Sequence, residues 1–101
     1  MIAERKKEAI AILESELEYH RKEANEMAEE LDLRPFDPVA DVRIVPKEKC
    51  VLFTYDGAGN DYFTYHPGLE RPRARLFAKL EEADFFAEDL NNWSMSIWDE
   101  R

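Results

Sequence analysis

Residues 2–32 read IAERKKEAIAILESELEYHRKEANEMAEELD, and this stretch decides the fold. Within it Ile10, Leu13, Leu17, His20, Ala24, Met27 and Leu31 recur at alternating spacings of three and four residues. That rhythm lays one narrow apolar stripe along a helix. The positions between are mostly Glu, Lys and Arg, and no Pro or Gly interrupts a run rich in good helix formers. The spacing predicts one long helix over 2–32. Pro35 and Pro38 stop it, because proline disfavours helix at itself and at the residue before it. Residues 33–41 then read as a connector, anchored by Phe36 and Val39.

Beyond the connector the period changes. Residues 42–45 form a short strand, 46–49 a turn, and 50–55 a β-branched and aromatic strand. Asp56, Gly57, Gly59, Asn60 and Asp61 are turn formers that close a second hairpin onto a third strand at 62–65. Pro72 suits the first turn of a second helix, with Leu76, Phe77, Leu80 and Ala83 facing inward. Asp84 is read as the cap of a last short helix through Leu90. Residues 93–98 alternate as a fourth strand, Trp93, Met95 and Ile97 on one side and Ser94, Ser96 and Trp98 on the other. The expectation is one α+β domain over 1–101, ordered α-βββ-α(α)-β. In it a meander and a C-terminal strand span 42–98 with the helix inserted, and the helices lie on one sheet face.

Composition bounds the function. The 101 residues carry 14 basic and 23 acidic side chains, a net charge of −9, and 45% of them are hydrophobic. Such a surface repels nucleic acid and anionic membranes and attracts basic surfaces. The one basic cluster, Arg71, Arg73, Arg75 and Lys79, is read as neutralised internally by Glu70, Glu81, Glu82 or the first helix. Cys50 is the only cysteine, so no internal disulfide forms. The charged N-terminal stretch has no signal-peptide core, and no apolar run is long enough to cross a bilayer. A cytoplasmic setting is expected.

Motifs for chemistry are sparse. A Cys50–His66 nucleophilic pair would need a proximity and an electropositive setting that the spacing does not supply. The 56–61 turn fails as a calcium loop, because Ala58 takes a ligand position and Pro67 stands where the closing Glu belongs. One cysteine and two separated histidines, His20 and His66, make no zinc spacing. The glycines precede neither Lys-Ser nor Lys-Thr, so no phosphate loop forms. No cofactor or metal is expected, and no catalytic residue is assigned.

The remaining signals concern contact. Glu14 and Glu18 lie four apart, as do Asp84 and Glu88, each pair about 6 Å apart along a helix. Carboxylates at such spacings can imitate phosphates, in the manner of a DNA mimic, or simply keep a helix face solvated. Tyr55, Tyr62 and Tyr65 form either a binding platform or core filling. The stripe is thin at His20 and Ala24, which leaves Leu17, His20, Ala24 and Met27 as candidates for a homodimer contact.

The function expected is a small acidic, non-enzymatic protein that inhibits or regulates a nucleic-acid-handling protein by occupying its basic surface. Glu14, Glu18, Asp84, Glu88 and Asp89 would supply the charge, with Tyr62 and Tyr65 as anchors. Phage and mobile-element inhibitors, anti-CRISPR proteins among them, are analogous in size and charge but share no motif with it. The alternatives are an immunity protein or antitoxin against a basic nuclease, and a small enzyme or ligand sensor using Cys50 and His66.

Overall fold

The structure, a computed structural model, describes residues 1–34, 37–55, 70–91 and 93–101. Ala3–Glu30 form helix α1. At 1.5 Å per residue its 28 residues make a rod of about 42 Å, against a longest molecular dimension of 45 Å. The helix ends in a left-handed turn. Asp32 has φ 54°, its N–H donates to Glu29 O (3.2 Å), and the Leu33 N–H reaches back to Ala28 O (2.7 Å). Glycine usually takes this position, and Asp is among the few other residues that tolerate it. The connector is then tied back to α1: Asp37 accepts from Arg21 Nε (3.1 Å) and from the Val39 N–H (3.0 Å).

Val42–Pro46 form β1, Val51–Tyr55 β2, Glu70–Glu82 α2, Phe85–Asn91 β3 and Ser94–Asp99 β4. The sheet order is β1-β2-β4-β3, with every neighbouring pair antiparallel. Two expectations are corrected. The strand on the second side of β2 is β4, paired Val51 to Ile97 and Phe53 to Met95. Residues 62–65, Phe36 and the turn at 56–61 lie outside the described residues.

The second correction concerns 84–90, which form no helix. Asp84 has φ 63°, and its N–H donates to Glu81 O (3.0 Å), so it ends α2 instead of capping a new helix. From Phe85 the chain alternates: Phe85 and Ala87 pack on the core while Phe86 and Glu88 point away. Asn91 Oδ1 closes the β3–β4 hairpin by accepting from the Trp93 N–H (3.0 Å) and the Ser94 hydroxyl (2.8 Å).

Both helices cover one face of the sheet. Ala9, Leu13 and Leu17 of α1, with Leu76 and Leu80 of α2, meet Val51, Phe53, Tyr55, Phe85, Met95 and Ile97 in one buried cluster. Burying each of the Leu, Val, Ile, Phe and Met side chains among them stabilises the fold by about 1.5–3 kcal/mol. Tyr55 is core filling, its ring beside that of Phe53 at 5.7 Å. Met95 and Ile97 face inward as the alternation predicts, whereas Trp93 precedes β4 and is exposed.

One charged side chain locks the layers together. Arg5 is buried, with its Nε donating to Asp99 (3.1 Å) and Nη2 to Ala83 O (2.7 Å) and Asp84 O (3.1 Å). Its guanidinium also lies over the Phe85 ring at 3.9 Å. It thus supplies a cation to the end of α2, where unsatisfied carbonyls gather.

Candidate functional site

The acidic residues singled out by sequence do not share a surface. Glu14 and Glu18 are exposed on α1, in the helix layer, while Glu88 points from the opposite face of the sheet. Asp84 is engaged by Arg101 (3.1 Å), and Asp89 is paired with Arg73 on the helix side of β3. These five carboxylates therefore stand in four different places. Tyr62, Tyr65 and His66 lie outside the described residues.

The four residues read as a homodimer contact, Leu17, His20, Ala24 and Met27, are not equally accessible. Leu17, His20 and Ala24 are buried within the chain, and only Met27 of the four is open to solvent. Around His20 lies a network that sequence reading missed. Glu16 is only 4% exposed and accepts from Arg75 Nε at 2.9 Å, with His20 Nε2 at 3.8 Å. Arg75 also stacks on the Tyr19 ring (3.7 Å), and the Tyr19 hydroxyl donates to Glu23 (2.7 Å). Burial lowers the His20 pKa, and the neighbouring Glu16 carboxylate only partly opposes this. The Tyr19 pKa is raised, chiefly by its hydrogen bond to Glu23. The expected neutralisation of the basic cluster holds at Arg73, paired with Asp89, and at Arg75, paired with Glu16.

A groove of about 600 Å³ runs between α1 and α2, with Glu8, Glu16 and Glu82 facing Arg75, Lys79 and Arg101. Both signs line it, so it selects neither anion nor cation. Among the described residues no cluster of three His, Cys, Asp or Glu side chains could hold a metal, and no helix is long and apolar enough to cross a membrane. Cys50 is a free, buried cysteine at the entry to β2.

The exposed surface that departs most from an ordinary solvated helix is the last third of α1. Met27, Leu31 and Leu33 are 55%, 59% and 55% exposed. Glu23, Glu26, Glu29, Glu30 and Asp32 surround them, also exposed, and none has an ion pair among the described residues. The last turn of the helix contains no cation. This end is the negative pole of the helix dipole, so each added carboxylate there is repelled. The like charges of Glu26 and Glu30, four residues apart, repel further.

The exposure follows from which face of α1 is covered: the buried line runs through Leu13, Leu17, His20, Ala24 and Ala28, and Met27 and Leu31 stand to one side of it. A sequence signal existed in the five acids among ten residues at 23–32 without a compensating Lys or Arg in the final turn. A helix optimised only for its own stability carries cations there. The chain matches no protein-family model, no curated protein and no solved structure.

Proposed function

We propose that this protein is a small acidic binding module, without catalytic activity of its own, that acts by occupying a basic surface on another protein. In its narrower form the partner handles nucleic acid, and the module inhibits or regulates it by competing for the surface that grips phosphates. The observation that carries this reading is the end of α1, where exposed Met27, Leu31 and Leu33 sit among Glu23, Glu26, Glu29, Glu30 and Asp32. Apolar anchors inside a charged rim are the arrangement of a binding hot spot. The unrelieved negative charge selects a cationic partner and speeds encounter with it. An immunity protein or antitoxin facing a basic nuclease would use the same surface.

The test is a pull-down from bacterial lysates with wild-type protein and with a Glu26→Lys, Glu29→Lys, Glu30→Lys variant, at low and moderate salt. The expected result is a basic nucleic-acid-binding protein held by the wild type, released as salt rises, and lost by the variant. Added nucleic acid should compete for it. Retention of the same proteins by the charge-reversed variant would remove the α1 end from the proposal, and indifference to added nucleic acid would remove its narrower form.

A further inference from the structure

The second unusual surface is the sheet face turned away from the helices. An antiparallel sheet with one face in water normally reads polar on that face. Here Val45, Leu52, Phe86 and Trp98 share the outward face with Thr54 and the buried Ser94 and Ser96, and the only charged side chains at the paired positions of that face are Arg43 and Glu88. This is a low density for a chain with 37% charged residues. Phe86, 41% exposed, stacks on Trp98 with centroids 6.5 Å apart and planes 15° from parallel. The Trp98 indole N–H donates to Ser96 Oγ (2.8 Å), which lays the ring along the sheet and fixes it there. No element among the described residues packs on this face, since the helices meet the sheet through its other side.

The charges on the face are divided. Arg43 stands on β1 at one edge of the sheet, and Glu88 stands on β3 at the other. Neither has an ion pair among the described residues. The apolar groups divide in the same way, with aliphatic Val45 and Leu52 on the β1–β2 half and aromatic Phe86 and Trp98 on the β3–β4 half. One half is therefore basic and aliphatic, the other acidic and aromatic. Such a surface complements itself.

We infer that this face binds a second copy of the chain, sheet against sheet, about a twofold axis parallel to the strands. That axis lays the β3–β4 half of each copy over the β1–β2 half of the other. Glu88 then faces Val45 of the other copy, with the opposite Arg43 one residue row away and within side-chain reach, and the Phe86–Trp98 stack borders Val45 and Leu52 from the next row. A twofold axis in the interface plane but perpendicular to the strands would set β1 on β1, bringing Arg43 toward Arg43 and Glu88 toward Glu88, which charge repulsion disfavours. The contact buries apolar area against a background of −9 on each copy. Moderate salt screens that repulsion at long range, so self-association persists at a salt concentration that weakens capture of a basic partner. The inference does not rest on the α1 end.

The test is sedimentation equilibrium of the full chain from micromolar to several hundred micromolar in 0.15 M NaCl. The wild type is expected to dimerise and Phe86→Asp to remain monomeric with an unchanged far-UV circular dichroism spectrum. Arg43→Glu and Glu88→Arg should each weaken the dimer at least tenfold, and the double swap should restore it to within a few fold of the wild type. Leu31→Asp, at the α1 end, should leave the dimer intact. A wild type that stays monomeric throughout overturns the inference. So does a dimer that resists Phe86→Asp, or one that the double swap fails to restore.

Discussion

Glu30→Lys should make this protein more stable, and the size of the gain follows from where Glu30 sits. It is the last residue of α1, in a final turn that contains no cation. Reversing its charge replaces a repulsion of about 0.3–1 kcal/mol with the negative helix end by an attraction of similar size. It also exchanges the like-charge pair Glu26–Glu30 for an opposite-charge pair in the favoured orientation, a change of about 0.5–1 kcal/mol. Exposure keeps both effects toward their lower limits, so the net gain expected is about 1–2 kcal/mol at low ionic strength. For a chain of this length that raises Tm by about 5–10 °C. Thermal unfolding followed at 222 nm in 10 mM and 500 mM NaCl reads it directly. Glu30→Gln should deliver roughly half the gain, and high salt should shrink both. An unchanged or lowered Tm, or a gain that salt leaves intact, would refute the claim that the α1 end carries uncompensated charge. A stabilised variant that binds its partner less well would then show why selection keeps the strain.

Three further outcomes follow from the buried charges. Burial lowers the His20 pKa, so the unfolded chain takes up its proton first; stability should fall as pH drops below about 6.5, and His20→Gln should flatten that slope in urea titrations. Asp99 is shifted the same way for another reason, its carboxylate being held by Arg5 and by the Arg101 N–H. Its contribution is complete above about pH 4 and lost as pH falls through the lowered folded value, so Asp99→Asn should remove an acid transition that His20→Gln leaves in place. Arg75→Ala strands the buried Glu16 carboxylate and should cost about 2–3 kcal/mol in chemical denaturation, the lower part of the range for a broken pair because Arg75 is 38% exposed. Adding Glu16→Leu should recover most of that loss.

The parts of the fold legible in the sequence are those whose signal is local. α1 announces itself because contacts three and four residues apart repeat along it, and its predicted span of 2–32 brackets Ala3–Glu30. Met95 and Ile97 alternate against Ser94 and Ser96, and that period of two survives in β4. Asp84 shows where local chemistry runs out. Asp favours helix N-caps and also tolerates the left-handed turn that ends a helix, so the residue alone supports both readings. The Asn-Asn pair at 91 and 92, between two alternating runs, was the hairpin signal that would have decided for a strand.

The candidate surfaces divide along the same line. The sequence by itself determined a net charge of −9, a long amphipathic helix, an antiparallel sheet with helices on one face, and a final helical turn without a cation. These follow from composition and from interactions within a few residues. Only the tertiary structure decided that β4 lies beside β2, that Leu17, His20 and Ala24 are buried at home, and that Glu16 belongs to Arg75, which is 59 residues away. It also separated Glu14 and Glu18 from Glu88 and left Met27 and Phe86 exposed, with Phe86 stacked on the half-buried Trp98. The reason is physical: burial depends on which face of the helix the rest of the chain covers, and strand order depends on which distant segments close the core together. Neither length nor charge along the chain encodes either one locally.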